Sequence, residues 1–173
     1  VSSLPGKYGI GCFSKEAYDF VDVLEKANQK YWQILPIGPT SYGDSPYQSF
    51  STFAGNPYFI SLEKLIEEEL LTEEECNSVD FGENNEYIDY EKLYNGRLNL
   101  LKKAYKRSNP EDEGFKKFVE ENGFWIEDYA MFMAIKAEHN GESFELWEDE
   151  IRVRKPKAME RYREKFKDEI LFY

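Results

Sequence analysis

Histidine, cysteine and long apolar runs are scarce in this chain, and each scarcity closes a class of function. One histidine, His139, stands among 173 residues. A Ser-His-Asp triad, a His-rich zinc site or an HExxH helix would each have to be built around it, and no such motif surrounds it. It precedes Asn140-Gly141, where a helix is expected to end, so a role at a helix C-terminus is the better reading. The two cysteines, Cys12 and Cys76, lie far apart without metal-ligand spacing. Two idle thiols are favoured over a disulfide, which fits a cytoplasmic protein. No apolar run approaches the ~20 residues that cross a bilayer, and no signal peptide is visible, so no membrane partner is expected. Clusters of positive charge are missing as well. The 34 acidic residues outweigh 22 basic ones, for a net charge of −12. That balance disfavours nucleic acid or an anionic membrane surface as a partner. PGKYGIG (5–11) lacks both GxxxxGK[ST] and GxGxxG spacing and reads as a tight turn, not a phosphate cradle. Nothing in the sequence offers a metal or cofactor site.

What is present begins with a helix signal. Ser14 followed by KEAYDFVDVLEKANQ reads as an N-cap and an amphipathic helix with Ala17, Phe20, Val21, Leu24 and Ala27 on one face. Tyr31–Pro36 is short and almost entirely apolar, as a strand buried on both faces would be. Helix followed by strand is half of an α/β unit. After Pro57 the texture turns helical. Ser61–Leu71 reads as a short helix, and Thr72-Glu73-Glu74-Glu75 as a capping box. Residues 77–88 read as loop. Asp89 is placed to cap a helix over Tyr90–Arg107, with Leu93, Leu100, Leu101 and Ala104 inside. Pro110 suits the first turn of the next helix, Phe124–Glu138 is a strongly apolar helix, and Pro156 opens a last one. The acidic runs 67–70 and 72–75 read as solvated helix surface.

The stretch between strand and helices carries the chemistry. Tyr31, Trp32, Tyr42, Tyr47, Phe50, Phe53 and Tyr58 fall in a segment rich in Gly, Pro, Ser and Thr. Sugar rings present apolar C–H faces and a rim of hydroxyls, so a pocket for them joins flat aromatic platforms to short polar side chains. Tyr42, Ser45, Tyr47, Gln48 and Ser49 supply both kinds. Composition alone leaves a second reading open, in which the rings pack the loop down and the hydroxyls bond backbone. Asp44, between Gly43 and Ser45, reads as a turn residue that bonds backbone amides rather than as a catalytic acid.

Three blocks, SSLPGKYGIG (2–11), YWQILPIGPTSYGDSPYQSFSTFAGNP (31–57) and GFWIEDYAMFMAIKAEHNG (123–141), resemble the N-terminal part of the 4-α-glucanotransferases. These are the amylomaltase or disproportionating enzymes of glycoside hydrolase family 77. The resemblance implies an α/β fold: the N-terminal portion of a (β/α)8 TIM barrel followed by a mostly helical inserted subdomain. On that reading residues 1–60 hold the first barrel elements and the substrate loop, 61–150 the insertion, and 151–173 a helix leading back towards the barrel. It implies that Ser45 and Tyr47 contact the sugar beside the scissile bond, the ring of Tyr47 stacking and Ser45 hydrogen-bonding a hydroxyl. Tyr42 and Tyr94 would hold a more distant stretch of glucan. The partners implied are maltooligosaccharides and other α-1,4-glucans of starch, glycogen or maltodextrin, together with the remainder of the protein's own polypeptide. No cofactor and no metal are implied.

The activity implied is retaining transfer of a glucan segment to a new 4-OH. It needs two carboxyls about 5–5.5 Å apart, and the family's motifs for them are not in this sequence. No catalytic residue is therefore assigned, and the nucleophile and acid/base are expected beyond Tyr173. A complete barrel takes roughly 250 residues, and both ends of the chain fall inside patterned segments, so a fragment is expected. The rival expectation is a non-catalytic glucan-binding or helical interaction module, which would use the same tyrosines and need no carboxylates.

Overall fold

The computed structural model describes residues 1–40, 43–82 and 86–173, which form two compact units, Val1–Ser108 and Asn109–Tyr173. All regular elements among the described residues are helical: α1 (Lys15–Lys26), α2 (Leu62–Glu67), α3 (Glu73–Asn77) and α4 (Tyr90–Arg107) in the first unit, α5 (Glu113–Glu121), α6 (Ile126–Glu138), α7 (Asp149–Arg152), α8 (Pro156–Lys165) and α9 (Lys167–Phe172) in the second. Single 3-10 turns add Pro57–Phe59 and Phe144–Leu146.

The first unit is organised by α4. Asp89 caps it by accepting from the Lys92 amide at 3.1 Å, which leaves the stripe Leu93, Arg97, Leu100, Leu101 and Ala104 buried. Leu62, Leu71, Cys76 and Phe81 belong to the same buried set. Gly96 permits the close approach on which this packing depends, since a Cβ there would lie 2.3 Å from Val79 Cγ1. At α1, Ala17 is buried and Phe20 and Leu24 half-buried, whereas Val21 and Ala27 face solvent. The helix stops at Lys26 because Asn28 takes the left-handed conformation, φ 56°. Ser14 occupies the N-cap position, but its hydroxyl donates to the Glu16 carboxylate instead of capping the helix amides.

Thr72 forms the expected capping box. Its Oγ1 accepts from the Glu75 amide and Glu75 Oε2 accepts from the Thr72 amide, both at 3.1 Å. Glu75 is also gripped by the Arg107 fork through two hydrogen bonds of 2.7 Å. That guanidinium first, and the Thr72 amide second, bring the Glu75 carboxyl down from 4.5 to about 2. A lowered carboxylate pKa contributes stability above the unfolded value that is lost as pH falls through the folded one. The wild-type chain is therefore expected to lose more of its unfolding midpoint than Glu75→Gln between about pH 4.5 and about pH 2. Midpoints falling in parallel over that window would contradict the assignment.

The second unit has its own core of Met131, Ala134, Ile135, Trp147, Ile151, Ala158 and Phe166. α6 ends as its sequence dictates, with Asn140 and Gly141 at φ 52° and 82°. His139 is its C-cap residue and stacks on Trp147, centroids 5.4 Å apart and planes at 20°.

One expectation finds no partner among the described residues, and three are corrected. Tyr31–Pro36 carries no β-ladder: a strand is defined by hydrogen bonds to a neighbour, and no other described segment pairs with it. Its Tyr31, Ile34 and Leu35 are exposed, so the α/β expectation is met in its helical part only. Pro110 precedes α5 instead of opening it, because Asp112 takes the N-cap and accepts from the Phe115 amide at 2.9 Å. Phe124 lies ahead of α6 and is exposed, not core. The last helix is two, α8 and α9, meeting at Phe166. No helix among the described residues is long and apolar enough to cross a membrane.

Candidate sugar-binding loop

The aromatic, hydroxyl-rich segment is a closed loop. The Asn56 amide donates to the Ile37 carbonyl at 2.8 Å and fastens its two ends. Asn56 is itself buried, and its Oδ1 accepts from the Tyr58 amide at 2.9 Å, starting the 3-10 turn Pro57–Phe59. At the other end Gly38 is essential to closure: a Cβ there would meet Ser49 Oγ at 2.5 Å and the Ser51 carbonyl oxygen at 3.2 Å.

Inside the loop the serines divide their hydrogen bonds. Ser49 Oγ donates to the Ser51 carbonyl at 2.7 Å, and Ser51 Oγ accepts from the Ala54 amide at 3.0 Å. These two hydroxyls stiffen the loop, so for them the backbone-bonding reading of the sequence is correct. Ser45 differs. Its carbonyl accepts from the Gln48 amide at 3.1 Å, and its Oγ meets the Tyr47 amide only at 3.4 Å. Among the described residues that hydroxyl accepts one weak bond and donates none, which leaves a proton to give to a ligand. Tyr47, two residues on, is 74% exposed. A ring that bulky stays in water on a rigid turn only at the cost of burial it could have had elsewhere. Phe53 also faces outward.

Tyr94 lies on α4, exposed, one turn beyond Tyr90. Tyr90 and Tyr58 are half-buried with ring centroids 6.3 Å apart. Burial, then the nearby Asp44 charge, pushes the Tyr58 phenol up to about 12. The loop and the first turns of α4 thus share one tyrosine cluster. Tyr42 lies outside the described residues.

Asp44 does part of what its sequence position suggests. It has φ 53° beside Gly43 at φ 88°, so it does turn the chain. Its carboxyl, however, accepts no hydrogen bond from a backbone amide among the described residues, and burial raises its pKa. Among those residues no group of three or more His, Cys, Asp or Glu could hold a metal ion.

The residue that sequence reasoning missed is Arg97. It is 1% exposed and donates to the Tyr8 carbonyl at 3.3 Å and to the Ile60 carbonyl. Through those bonds it joins the N-terminal turn to the segment that leaves the loop. A signal was available, because position 97 follows Leu93 by four residues and so falls on the apolar stripe of α4. Cys12 and Cys76 are free and buried, and burial raises both thiols.

A family model described as 4-alpha-glucanotransferase matches residues 1–173. The chain is 50% identical over 174 residues to a 4-alpha-glucanotransferase of Clostridium butyricum, all of this chain aligning with 36% of that protein. It is 48% identical to one of Streptococcus pneumoniae and 42% to one of Thermus thermophilus, spanning 35% and 34% of their lengths. Among solved structures it resembles the amylomaltase from Streptococcus agalactiae in complex with acarbose, with TM-score 0.91 and 39% identity, over 99% of this chain and 35% of that one. The chain therefore spans about a third of the length of the relatives it matches.

Proposed function

Because the chain belongs to the 4-alpha-glucanotransferase family, we propose that it contributes the donor-sugar wall of an enzyme that moves a segment of an α-1,4-glucan to a new 4-OH acceptor. The observation that carries this reading is the likeness to an amylomaltase in complex with acarbose, at TM-score 0.91 and 39% identity. An exposed ring on a turn closed by backbone hydrogen bonds is what a sugar face needs. Tyr47 would stack on the ring beside the scissile bond, and Ser45 would donate its free proton to a hydroxyl of that ring. Tyr42 and Tyr94 would hold glucan further along. Each contact is individually modest, and a rigid loop lowers the entropy cost of making them together.

The extended 31–37 segment is proposed to be a strand of a (β/α)8 barrel. Its exposed Ile34, Leu35 and Ile37 would be covered by neighbouring strands, and residues 61–150 would form the insertion that walls the cleft. The reaction is retaining double displacement. One carboxylate forms a glycosyl-enzyme while a carboxylic acid protonates the leaving oxygen, and a glucan 4-OH then takes the sugar. Those two groups are proposed to lie beyond Tyr173, in a cytoplasmic enzyme of maltodextrin, starch or glycogen metabolism.

The test is disproportionation of maltotriose. The transferase that contains this chain is expected to release glucose and build maltopentaose and longer chains, and residues 1–173 alone to do neither. Hydrolysis without longer products would refute transfer, and turnover by residues 1–173 alone would refute the placement of the carboxylates.

A further inference from the structure

Asp44 is the acidic residue of the loop that the proposed chemistry leaves unused, and its surroundings give it a different task. It lines a cavity of about 80 Å³ together with Leu35, Pro36, Tyr58, Phe59 and Tyr90. These neighbours come from three places: the segment before the loop, the turn after it, and the first residue of α4. No second carboxylate lines that cavity among the described residues. The two reacting carboxyls are proposed to lie beyond Tyr173, so Asp44 is given no catalytic role here. Its charge reaches the phenols of both Tyr58 and Tyr90. The side chain is half-buried, where a carboxyl group is costly unless it serves the structure around it.

We propose that Asp44 is a positioning residue for glucan binding: its side chain forms part of the cavity wall it shares with Tyr58 and Tyr90, and so fixes Ser45 and Tyr47, one and three residues further on, relative to α4. The inference rests on the reading of the loop as a sugar platform and adds to it the group that sets the platform's place. Tyr47 is one turn from Asp44, so a shift of the Asp44 side chain moves the ring directly. A misplacement of ~1 Å in a binding group costs up to about a hundredfold in rate or affinity.

Backbone and side chain are separable at this position, which makes the test sharp. At φ 53° asparagine and glycine are both tolerated, whereas alanine is strained. Asp44→Asn keeps the conformation and the side-chain volume, Asp44→Gly keeps the conformation alone, and Asp44→Ala keeps neither. The variants are made in the transferase that contains this chain, and kcat and KM for maltotriose are measured beside amide exchange over residues 45–54 without sugar. Asp44→Asn is expected within about threefold of wild type in KM, whereas Asp44→Gly and Asp44→Ala raise KM roughly tenfold with kcat little changed, as for loss of uniform binding. Exchange over 45–54 should quicken in Asp44→Gly and not in Asp44→Asn. A wild-type KM and exchange pattern in Asp44→Gly would overturn the proposal, because the backbone conformation alone would then suffice. If the wild-type protein transfers no glucan, the sugar reading falls, and exchange in Asp44→Gly against Asp44→Asn still decides whether the side chain holds the loop.

Discussion

Tyr47→Ala is expected to lower kcat/KM for maltotriose by one to two orders of magnitude in the proposed transferase, about 1.4–3 kcal/mol of lost transition-state stabilisation. The reasoning starts from exposure. At 74% exposed the ring contributes almost nothing to the core, so its removal leaves the unfolding midpoint where it was. What it loses is a flat apolar face beside the Ser45 hydroxyl, the combination that suits a pyranose ring. Tyr47→Phe keeps the face and is expected to retain most of the activity. If stacking is equal in ground and transition states, KM rises alone. If the ring grips the flattened sugar of the transition state more tightly, kcat falls with it. Unchanged kcat and KM in Tyr47→Ala would remove the residue from the site.

Arg97→Ala should be the most destabilising single change in the first unit, at about 3–5 kcal/mol. Two effects add. The truncation leaves a void beneath Leu93 and Leu100, its neighbours on the buried stripe of α4, and it strands the Tyr8 and Ile60 carbonyls that the guanidinium serves. Arg97→Met separates them. It refills most of the volume and removes a buried charge, which is itself costly, but still leaves the carbonyls unserved. The expected order of unfolding midpoints is wild type, then methionine, then alanine. Arg97→Lys is not conservative here, because one ammonium cannot reproduce a planar fork aimed at two carbonyls. A methionine variant as unstable as the alanine one would assign the whole effect to the hydrogen bonds. An alanine variant at the wild-type midpoint would contradict the role altogether.

Much of the helical architecture was legible in the sequence where a local signal and a periodic one agreed. Asp89 followed by leucines at helical spacing placed α4 at the boundaries observed. Thr72 with Glu75 placed the start of α3, and Asn140-Gly141 the end of α6. Where the sequence stopped short, the missing information was mostly a partner remote in sequence, although Asp112 displaced Pro110 locally. Apolar content read Tyr31–Pro36 as a strand, but content does not supply the neighbour a ladder requires. Arg97 carries a charge that local reasoning sends to solvent, and only the distant Tyr8 and Ile60 carbonyls explain its burial. The serines of the loop looked alike in composition, yet Ser49 and Ser51 are engaged by backbone while Ser45 is only weakly so. Which of them keeps a hydroxyl open is decided by how Gly38 and the Asn56–Ile37 hydrogen bond fold the loop, not by residue type. Asp44 turns the chain as read and accepts no backbone amide bond among the described residues, where Tyr58 and Tyr90 come to it from outside the loop.

The claim that everything else depends on is that residues 43–57 contact glucan. The most direct test is a titration of the 173-residue polypeptide with maltotriose, following the backbone amides by two-dimensional NMR. The account predicts saturable shifts concentrated at Ser45–Ser49 and on α4 around Tyr94, abolished in Tyr47→Ala. A folded chain whose spectrum does not move with maltotriose, or moves only in the second unit, would contradict it.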